Sequence, residues 1–305
     1  MNKTIYITEP DVINLEPVKG LLTDYEIVEG DTSFSQPPAD CSVIVIRSAT
    51  TIDASIKEKF PLLRHIVRVG VGVDNIDVEF CNKEGIAIYN APGANADAVS
   101  DYVIAMMFIA LRKINLLTPN DVETWNRFKF TGHNMSSRTI GIIGFGNIGR
   151  QIFQKLQGFG CKDFFAYDPF VKAEDMPNGV TYASSIEDVL RNSDVITLHV
   201  PLIPSTEYLI NRTNLSLLKK GSVLLNASRG GIVNESDVVE HIEQNDITYI
   251  ADTVENEPNV ARNLLNKERI IVTPHIASLT SESEDSMISL AFDNFLNSKP
   301  MNTLR

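Results

Sequence analysis

The sequence predicts an α/β protein with two doubly wound domains. From Thr139 onward, short apolar runs alternate with amphipathic segments, and a glycine-rich loop follows the first run. The N-terminal part of the chain repeats this alternation in a cruder form and without such a loop. An alternation of this kind is typical of βαβ units that build a parallel sheet.

Length and composition are those of an ordinary globular protein. The 305 residues suffice for two domains, and 43% hydrophobic with 22% charged residues exclude a disordered composition. The 39 acidic side chains outnumber the 27 basic ones, and a net charge of −12 argues against binding nucleic acid or an anionic membrane. The longest apolar run, residues 103–111, is too short to span a bilayer. We therefore expect neither nucleic acid nor a membrane as a partner.

The cysteines give no sign of a disulfide framework or a metal site. Cys41, Cys81 and Cys161 are odd in number, far apart and never in a C-x-x-C arrangement, so no bound metal is expected. The N-terminus lacks the apolar core of a secretory signal. A location in the reducing cytoplasm fits these features best.

The N-terminal part predicts a smaller, flavodoxin-like domain. Its strands are predicted at residues 5–7, 43–46, 65–67 and 86–89. A helix predicted over 281–296 has one apolar face that needs a partner, and we expect it to cross back to this domain. Residues 1–94 and 281–305 would then form a discontinuous domain around a second one at 95–280.

Within the second domain, the alternation from Thr139 onward starts with a strand at 140–143, which leads into a helix over 150–160. A strand at 164–167 follows. Ser184, with Glu187 three residues later, has the capping-box pattern that opens another helix. Further strands are predicted at 195–198, 223–225, 249–251 and 270–272, with helices between most of them. This order indicates a Rossmann-like fold.

Each of these strands runs into polar or glycine residues. In an open parallel sheet the carboxyl ends of the strands line one edge, where ligands bind. We therefore expect these residues to face one ligand crevice. They are Gly144, Asp168, His199, Asn226 to Arg229, Asp252 and His275.

The glycine-rich loop has the spacing and the context of a dinucleotide site. Gly144 permits a tight turn, Gly146 lets the backbone approach a pyrophosphate, and Gly149 lets helix and strand pack closely. Asn147 and Ile148 lie inside the loop and are included in the predicted cofactor site. Asp168 would accept hydrogen bonds from the ribose hydroxyls and repel a 2′-phosphate, which predicts NAD rather than NADP.

Three side chains in the same half point to proton and hydride chemistry. Arg229 follows a strand in a glycine-rich loop and offers the planar fork that suits a carboxylate. Glu257 and His275 follow later strands, and a carboxylate beside an imidazole makes a base that works near neutral pH. Combined with a dinucleotide loop, this set predicts hydride transfer.

A series of motifs extends in order along nearly the whole chain. Its segments are Arg-Val-Gly-Val-Gly-Val-Asp-Asn-Ile-Asp at 68–77, residues 90–95, the dinucleotide loop, residues 199–202, residues 226–231, Asp252 with Glu257 and Pro258, and residues 273–275. The series resembles the D-isomer-specific 2-hydroxyacid dehydrogenase family, and most of all its D-3-phosphoglycerate dehydrogenase branch.

The resemblance assigns roles to several residues. It implies that Arg229 orients the substrate carboxylate, that His275 exchanges the proton and that Glu257 supports the histidine. It implies that the backbone around Val71 and Gly72 binds the carboxylate. The cofactor contacts that it implies are Asp252 at the nicotinamide, together with His199, Pro201, Ala227 and Ser228. Asn95 would hold the substrate loop or cap the following helix.

Three further arginines indicate the branch of the family and assembly into a dimer. Arg47 and Arg68 match positions that resemble the phosphate contacts of phosphoglycerate dehydrogenases, and Arg127 resembles a residue lent across a dimer. The implied function is NAD-dependent oxidation of D-3-phosphoglycerate, a small anionic substrate, in serine biosynthesis by a homodimer. Two alternatives remain open: a reductase of glyoxylate, hydroxypyruvate or another 2-oxo acid, and an NAD(H)-sensing corepressor.

The sequence departs from the family pattern at three places. Asp101 stands where the family usually has glutamate, and Ile203 stands where it usually has threonine. Residues 253–256, Thr-Val-Glu-Asn, replace the usual valine-aromatic stretch. The last change bears on the substrate more than on the class of reaction.

Overall fold

The computed structural model describes residues 3–301, and the chain divides into two compact units. The first comprises Met1–Asn95 with Leu279–Arg305, and the second comprises Ala96–Ser278. The predicted boundaries, at 94 and 281, lie beside these. That the first unit binds the substrate and the second the cofactor stays a prediction.

Parallel strands alternate with helices along the described chain. The strands are β1 (Lys3–Ile7), β2 (Tyr25–Glu29), β3 (Val43–Ile46), β4 (His65–Arg68), β5 (Ala87–Tyr89), β6 (Ile140–Ile143), β7 (Phe164–Tyr167), β8 (Val180–Tyr182), β9 (Val195–Leu198), β10 (Val223–Asn226), β11 (Thr248–Ala251) and β12 (Ile270–Val272). The α-helices are α1 (Ile56–Lys59), α2 (Val78–Lys83), α3 (Ala96–Leu111), α4 (Pro119–Glu123), α5 (Asn147–Gly158), α6 (Ile186–Asn192), α7 (Arg212–Leu215), α8 (Glu235–Gln244), α9 (Arg262–Leu265) and α10 (Ser281–Leu296).

The first unit contains a parallel sheet with the strand order β2-β1-β3-β4-β5. This is the flavodoxin-like order of doubly wound sheets. Helix α10 packs on this sheet, because Met287, Ile288, Ala291, Phe292 and Phe295 are buried in one cluster with residues of β1, β3 and β4. The apolar face predicted for this helix therefore has its partner in the first unit.

The second unit contains a parallel sheet with the order β12-β11-β10-β9-β6-β7-β8. The order reverses at β6, as in a dinucleotide-binding Rossmann fold. Its central strands β6, β9 and β10 are buried along their whole length, because helices cover both faces of the sheet. The predicted α/β class with two doubly wound sheets is thus confirmed.

Helix α3 supplies much of one core of the second unit. Val103, Met107 and Leu111 of this helix are buried in a cluster with Ile152 and Leu156 of α5. No helix within residues 3–301 combines the length and the apolar character that crossing a bilayer requires.

The structure differs from the sequence prediction in four local features. Helix α5 begins at Asn147, three residues before the predicted start, so Asn147 and Ile148 lie in its first turn and not in the loop. Helix α6 is capped by Ser185, whose side chain accepts a hydrogen bond from the Asp188 amide, and not by Ser184 with Glu187. Strands β2 and β8 were not predicted. Both lie at sheet edges and are largely exposed, so they lack the apolar runs that reveal central strands.

Candidate active site

Six strands of the second sheet end in register. The last residues of β7, β6, β9, β10, β11 and β12 are successive partners in the ladder: Tyr167, Ile143, Leu198, Asn226, Ala251 and Val272. Adjacent strands are about 4.8 Å apart, so the residues that follow them form one row along the sheet edge. Sequence reasoning expected this row, and the register brings the predicted residues of this unit to it.

The glycine-rich loop has the geometry of a dinucleotide site. Gly144 has φ +94°, and a Cβ there would lie 2.3 Å from the carbonyl oxygen of His199, so only glycine fits this turn. A Cβ at Gly149 would lie 2.5 Å from the Gly144 oxygen, which is the close helix–strand approach that the motif predicts. Gly146 has open space where a side chain would be and caps α5 without a side-chain hydrogen bond. The first turn of α5 therefore offers amides to a ligand anion.

Asp168 is held by the backbone around it. Its Oδ2 accepts from the Phe145 amide at 2.8 Å, and its Oδ1 accepts from the Phe170 amide at 2.9 Å. These bonds link the end of β7 to the glycine-rich loop and fix the carboxylate. Arg150, which sequence reasoning did not select, lies over the Phe145 ring with its guanidinium carbon 5.0 Å from the ring centre, in the first turns of α5. Its position directly after the last glycine of the motif is the sequence signal that could have identified it.

The structure brings Glu257 and His275 into contact. His275 Nδ1 lies 2.9 Å from Glu257 Oε1, and both side chains are partly exposed. The hydrogen bond from His275 holds the pKa of Glu257 below its usual value, and the charge of Arg229 contributes in the same direction. Glu257 is therefore ionised at neutral pH. A proton on Nδ1 is held by the carboxylate, which directs proton exchange with a substrate to Nε2.

Asn226 shapes the loop that carries Arg229, although sequence reasoning gave it no role of its own. Its Oδ1 accepts from the Ser228 amide at 3.1 Å, and its Nδ2 donates to the Arg229 carbonyl at 2.8 Å. Arg229 Nη1 donates to the Ser228 carbonyl at 2.7 Å. An asparagine that follows an apolar strand and precedes a glycine-containing loop was the sequence signal that could have identified it.

Asp252 anchors the segment that carries His275. This side chain is buried, with 1% exposure. Its Oδ1 accepts from the Thr273 hydroxyl at 2.6 Å and from the Ile276 amide at 2.8 Å, and its Oδ2 accepts from the Ala277 amide at 2.9 Å. The nicotinamide contact that the resemblance implies for Asp252 stays a prediction. The structure adds a second role, because these bonds fix the Thr273 side chain before His275 and the backbone directly after it.

The other predicted cofactor residues of this unit lie along the same edge. His199 follows β9, its Nε2 lies 2.8 Å from the Thr197 hydroxyl, and its Nδ1 is buried with no hydrogen-bond partner. Burial lowers the pKa of His199 to about 3, so the ring is neutral. Ala227 and Ser228 follow β10, and the Ser228 hydroxyl donates to the Leu198 carbonyl. Pro201, two residues after His199, is exposed.

In the first unit, acidic side chains already engage Arg47. Both terminal nitrogens of its guanidinium donate to the carboxylate of Glu284 on α10, and the two side chains are only 16% and 25% exposed. Glu9 accepts from the amides of Arg47, Ala49 and Thr50 and from the Thr50 hydroxyl. The guanidinium predicted to contact a phosphate is therefore bonded to the Glu284 carboxylate, and Glu9 holds the backbone of Arg47.

The remaining predicted substrate residues are divided between the two units: Arg68, Val71, Gly72 and Asn95 belong to the first, and Arg127 belongs to the second. Arg68 ends β4 and covers Gly70, because a Cβ at Gly70 would meet its guanidinium. Val71 and Gly72 follow in a half-buried loop, where the Val71 carbonyl accepts from Asn90 Nδ2 at 2.7 Å. Asn95 is half-buried before α3, in the first unit. Arg127 belongs to the second unit, is exposed, and lies over the exposed Phe128 ring.

The structure accounts for two of the departures from the family pattern. Asp101 on α3 binds Lys155 of α5 at 2.6 Å, so the shorter acid makes an ion pair within the second unit. Near Ile203, the Thr206 hydroxyl accepts from the Ile203 amide at 2.9 Å, which holds the turn after Pro201.

Among residues 3–301 there is no cluster of three His, Cys, Asp or Glu side chains that could hold a metal ion.

Comparison with known proteins gives the family. Residues 104–277 match the family model described as "D-isomer specific 2-hydroxyacid dehydrogenase, NAD binding domain". The chain belongs to the D-isomer-specific 2-hydroxyacid dehydrogenase family. The resemblance based on the sequence motifs is thereby confirmed, and so is the expectation of an NAD-binding domain in an enzyme of this family.

Its relatives within the family differ in the acid that their names specify. The chain is 34% identical over 293 residues to the (S)-sulfolactate dehydrogenase of Chromohalobacter salexigens, covering 95% of this chain and 94% of that one. It is 36% identical over 248 residues to the D-3-phosphoglycerate dehydrogenase of Methanocaldococcus jannaschii, covering 80% of this chain and 47% of that one. The match thus spans about half of the length of the second relative. The crystal structure of a glyoxylate reductase from Paecilomyes thermophila superposes with a TM-score of 0.85 at 26% identity, covering 99% and 98% of the two chains.

The residues at the sheet edge fit the NAD that the matched domain of this family binds. The open space at Gly146 and the uncapped first turn of α5 leave room and amides for a pyrophosphate. Asp168, fixed at the end of β7, would bind the ribose hydroxyls. When bound, NAD supplies a hydride acceptor. The residues of the chain must orient the substrate and move the proton.

Proposed function

We propose that this protein catalyses the NAD-dependent oxidation of a D-2-hydroxy acid, and that D-3-phosphoglycerate is its substrate in serine biosynthesis. The contact between His275 and Glu257 is the observation that carries the proposed reaction, because it is a base with its supporting carboxylate. Arg229 supports the proposal as a cation close enough to lower the pKa of Glu257. All three follow strands of the NAD-binding sheet.

The proposed reaction assigns one task to each of these side chains. His275 Nε2 takes the proton from the substrate hydroxyl, while Nδ1 stays bonded to Glu257. The ionised Glu257 stabilises the imidazolium that forms. Arg229 binds the substrate carboxylate and stabilises the negative charge that develops on the reacting oxygen. Asn226 and Asp252 hold the backbones of Arg229 and His275 in place.

The phosphate assignment rests on Arg47 and Arg68 and on the relative named D-3-phosphoglycerate dehydrogenase. One observation favours a second candidate. Because Arg47 is bonded to Glu284, its charge is largely neutralised before any substrate arrives. A reductase of glyoxylate, hydroxypyruvate or a similar 2-oxo acid without a phosphate is the function that this pair favours.

A substrate panel tests the proposed function. NADH formation is measured with D-3-phosphoglycerate, D-glycerate and D-lactate, and NADH consumption with 3-phosphohydroxypyruvate, hydroxypyruvate and glyoxylate. Each assay is repeated with NADP. Preference for the phosphorylated pair with NAD supports the first candidate, and preference for hydroxypyruvate or glyoxylate supports the second. No turnover with any of these acids would overturn both.

The Arg47–Glu284 pair predicts a change of specificity. Glu284→Gln removes the carboxylate that competes for Arg47, so kcat/KM should rise about fivefold for 3-phosphohydroxypyruvate relative to hydroxypyruvate. The measurement is the ratio of the two kcat/KM values. Arg47→Ala should abolish this gain in the double variant. Glu282→Gln, an exposed change on the same helix, is the control and should leave the ratio unchanged. An unchanged ratio in Glu284→Gln would contradict this use of Arg47.

We also propose that the protein forms a homodimer through its second unit. The segment after α3 exposes large apolar side chains, with Trp125 75%, Phe128 79% and Val122 59% exposed. Arg127 lies among them and would be the residue lent to the partner. Light scattering at micromolar concentration tests the assembly, and a monomer there would count against it.

We expect the protein to act in the reducing cytoplasm. Cys41, Cys81 and Cys161 are free and buried thiols, which fits a reducing compartment. Burial raises the pKa of Cys41 and of Cys81 to about 11, so both remain protonated and unreactive. Cell fractionation tests the location, and recovery of the protein outside the cytoplasm would contradict it.

A further inference from the structure

Two acidic residues near Glu257, namely Glu235 and Glu255, have no role in the proposed chemistry. Glu235 is the first residue of α8, and Glu255 precedes Glu257 by two positions. The two residues exchange hydrogen bonds: the Glu255 amide donates to Glu235 Oε1 at 2.8 Å, and the Glu235 amide donates to Glu255 Oε1 at 3.2 Å. This reciprocal pair joins the start of α8 to the loop that carries Glu257.

Glu235 is unusual for an acidic residue because it is buried, with only 6% of its surface exposed. Acidic side chains are rarely buried unless they are paired with a cation or have a specific task. Within residues 3–301, the structure gives Glu235 a backbone amide as a partner and shows no ion pair for it. Burial raises the pKa of Glu235 to about 7, and repulsion from Glu255 and Glu257 adds to the effect. Its charge therefore changes near neutral pH.

The titratable groups that face Glu235 come from three segments. Glu255 and Glu257 lie on the loop after β11, and the Tyr249 phenol lies on β11 itself. Tyr208 donates to Glu255 Oε2 at 3.3 Å. Of the arginines on the helices that pack against α8, Arg212 is bonded to Asp237 and Glu240, and Arg262 is exposed. The groups that act on Glu235 are thus mainly acidic.

We propose that Glu235 is a positioning residue for the Glu257–His275 pair. Its buried carboxylate holds the backbone of the loop that carries Glu257. In its ionised form, it also raises the affinity of the His275 imidazole for a proton. The first role follows from the bond to the Glu255 amide. The second follows from the same bond, because it places the Glu235 carboxylate against the loop two residues before Glu257, and Glu257 is bonded to His275. This inference rests on the proposed function of that pair.

Two substitutions separate these roles. Glu235→Gln keeps an oxygen that can accept from the Glu255 amide but removes the charge. Glu235→Ala removes both. Glu240→Gln is the matched control, because Glu240 lies on the same helix, is 61% exposed and is bonded to Arg212 instead of the loop.

The decisive measurement is the NMR titration of the His275 imidazole in the wild type, Glu235→Gln and Glu240→Gln. Without the nearby negative charge the imidazolium is less stable, so the midpoint for Glu235→Gln should move to lower pH by about half a unit. Glu240→Gln should leave the midpoint unchanged. This readout does not depend on turnover, and a purely structural role for Glu235 would not shift it. Superimposed titrations of the wild type and Glu235→Gln would overturn the proposed effect of the charge.

Kinetics provide the second test. We expect Glu235→Ala to lower kcat about tenfold with little change in KM, and Glu235→Gln to recover most of the loss. The acid limb of the pH profile for oxidation should move to lower pH in Glu235→Gln, in the same direction as the titration. Wild-type kcat in Glu235→Ala would overturn the positioning role. If Glu235→Ala does not fold, the titration of Glu235→Gln still decides. A wild type without turnover on the acid panel would overturn the proposed function instead.

Discussion

A His275→Ala variant is expected to oxidise the proposed D-2-hydroxy acid substrate about a thousandfold more slowly in kcat than the wild-type protein. Without the imidazole, the chain has no group in the proposed position to take the hydroxyl proton. The binding of NAD should change little, because the glycine-rich loop and Asp168 lie on other strands. Stopped-flow measurement of NADH formation at saturating substrate checks the first expectation, and cofactor titration by fluorescence checks the second.

Two further variants make the His275 prediction specific. Glu257→Gln should lower kcat by about tenfold to a hundredfold, because the amide supports the imidazolium less well than the carboxylate. His133→Ala removes an exposed histidine that has no assigned role, and its kcat should be unchanged. If His275→Ala kept a kcat within about threefold of the wild type, the assignment of the base would be wrong.

Gly230→Ala is expected to destabilise the protein by roughly 2–4 kcal/mol and to lower kcat/KM about a hundredfold. A Cβ at this position would lie 2.1 Å from the Val254 carbonyl oxygen and 2.8 Å from the Glu255 amide nitrogen. Both are backbone atoms, so the contact can be relieved only by moving one loop away from the other. One loop carries Arg229 and the other carries Glu257. Chemical denaturation and steady-state kinetics measure the two effects.

Gly158→Ala is the matched control for this prediction. Gly158 lies at the end of α5 with open space where a Cβ would stand. The same added methyl group should leave activity unchanged and stabilise the helix by up to about 1 kcal/mol. A Gly230→Ala variant as stable and active as Gly158→Ala would contradict the close approach of the two loops.

The sequence was sufficient for the central strands, the glycine-rich loop and the C-terminal helix. Strands such as β6 and β9 are buried on both faces, so they appear as continuous apolar runs. Strands β2 and β8 were missed because these two edge strands are exposed and their sequences show no such run. The helix cap at Ser185 was misplaced by one residue, because Ser184 and Ser185 are both followed by an acid at the required spacing.

For the site, the sequence predicted which types of side chain stand at the ends of the strands but not what they contact. The role of Asn226 depends on two hydrogen bonds within a loop, and no spacing rule encodes them. The pairing of Glu235 with Glu255 joins a helix start to a loop that comes later in the chain. The bond from Arg47 to Glu284 joins residues from opposite ends of the sequence.

The sequence by itself therefore determined the α/β class, the family and the chemistry of the sheet edge, because these depend on local runs and on motifs of fixed spacing. Only the tertiary structure decided which groups neutralise, hold or approach one another. Those relations depend on distances between segments far apart in the chain, and the energies of buried charges and of close backbone contacts vary steeply with such distances. The neutralised Arg47 and the buried Glu235 are both of this kind.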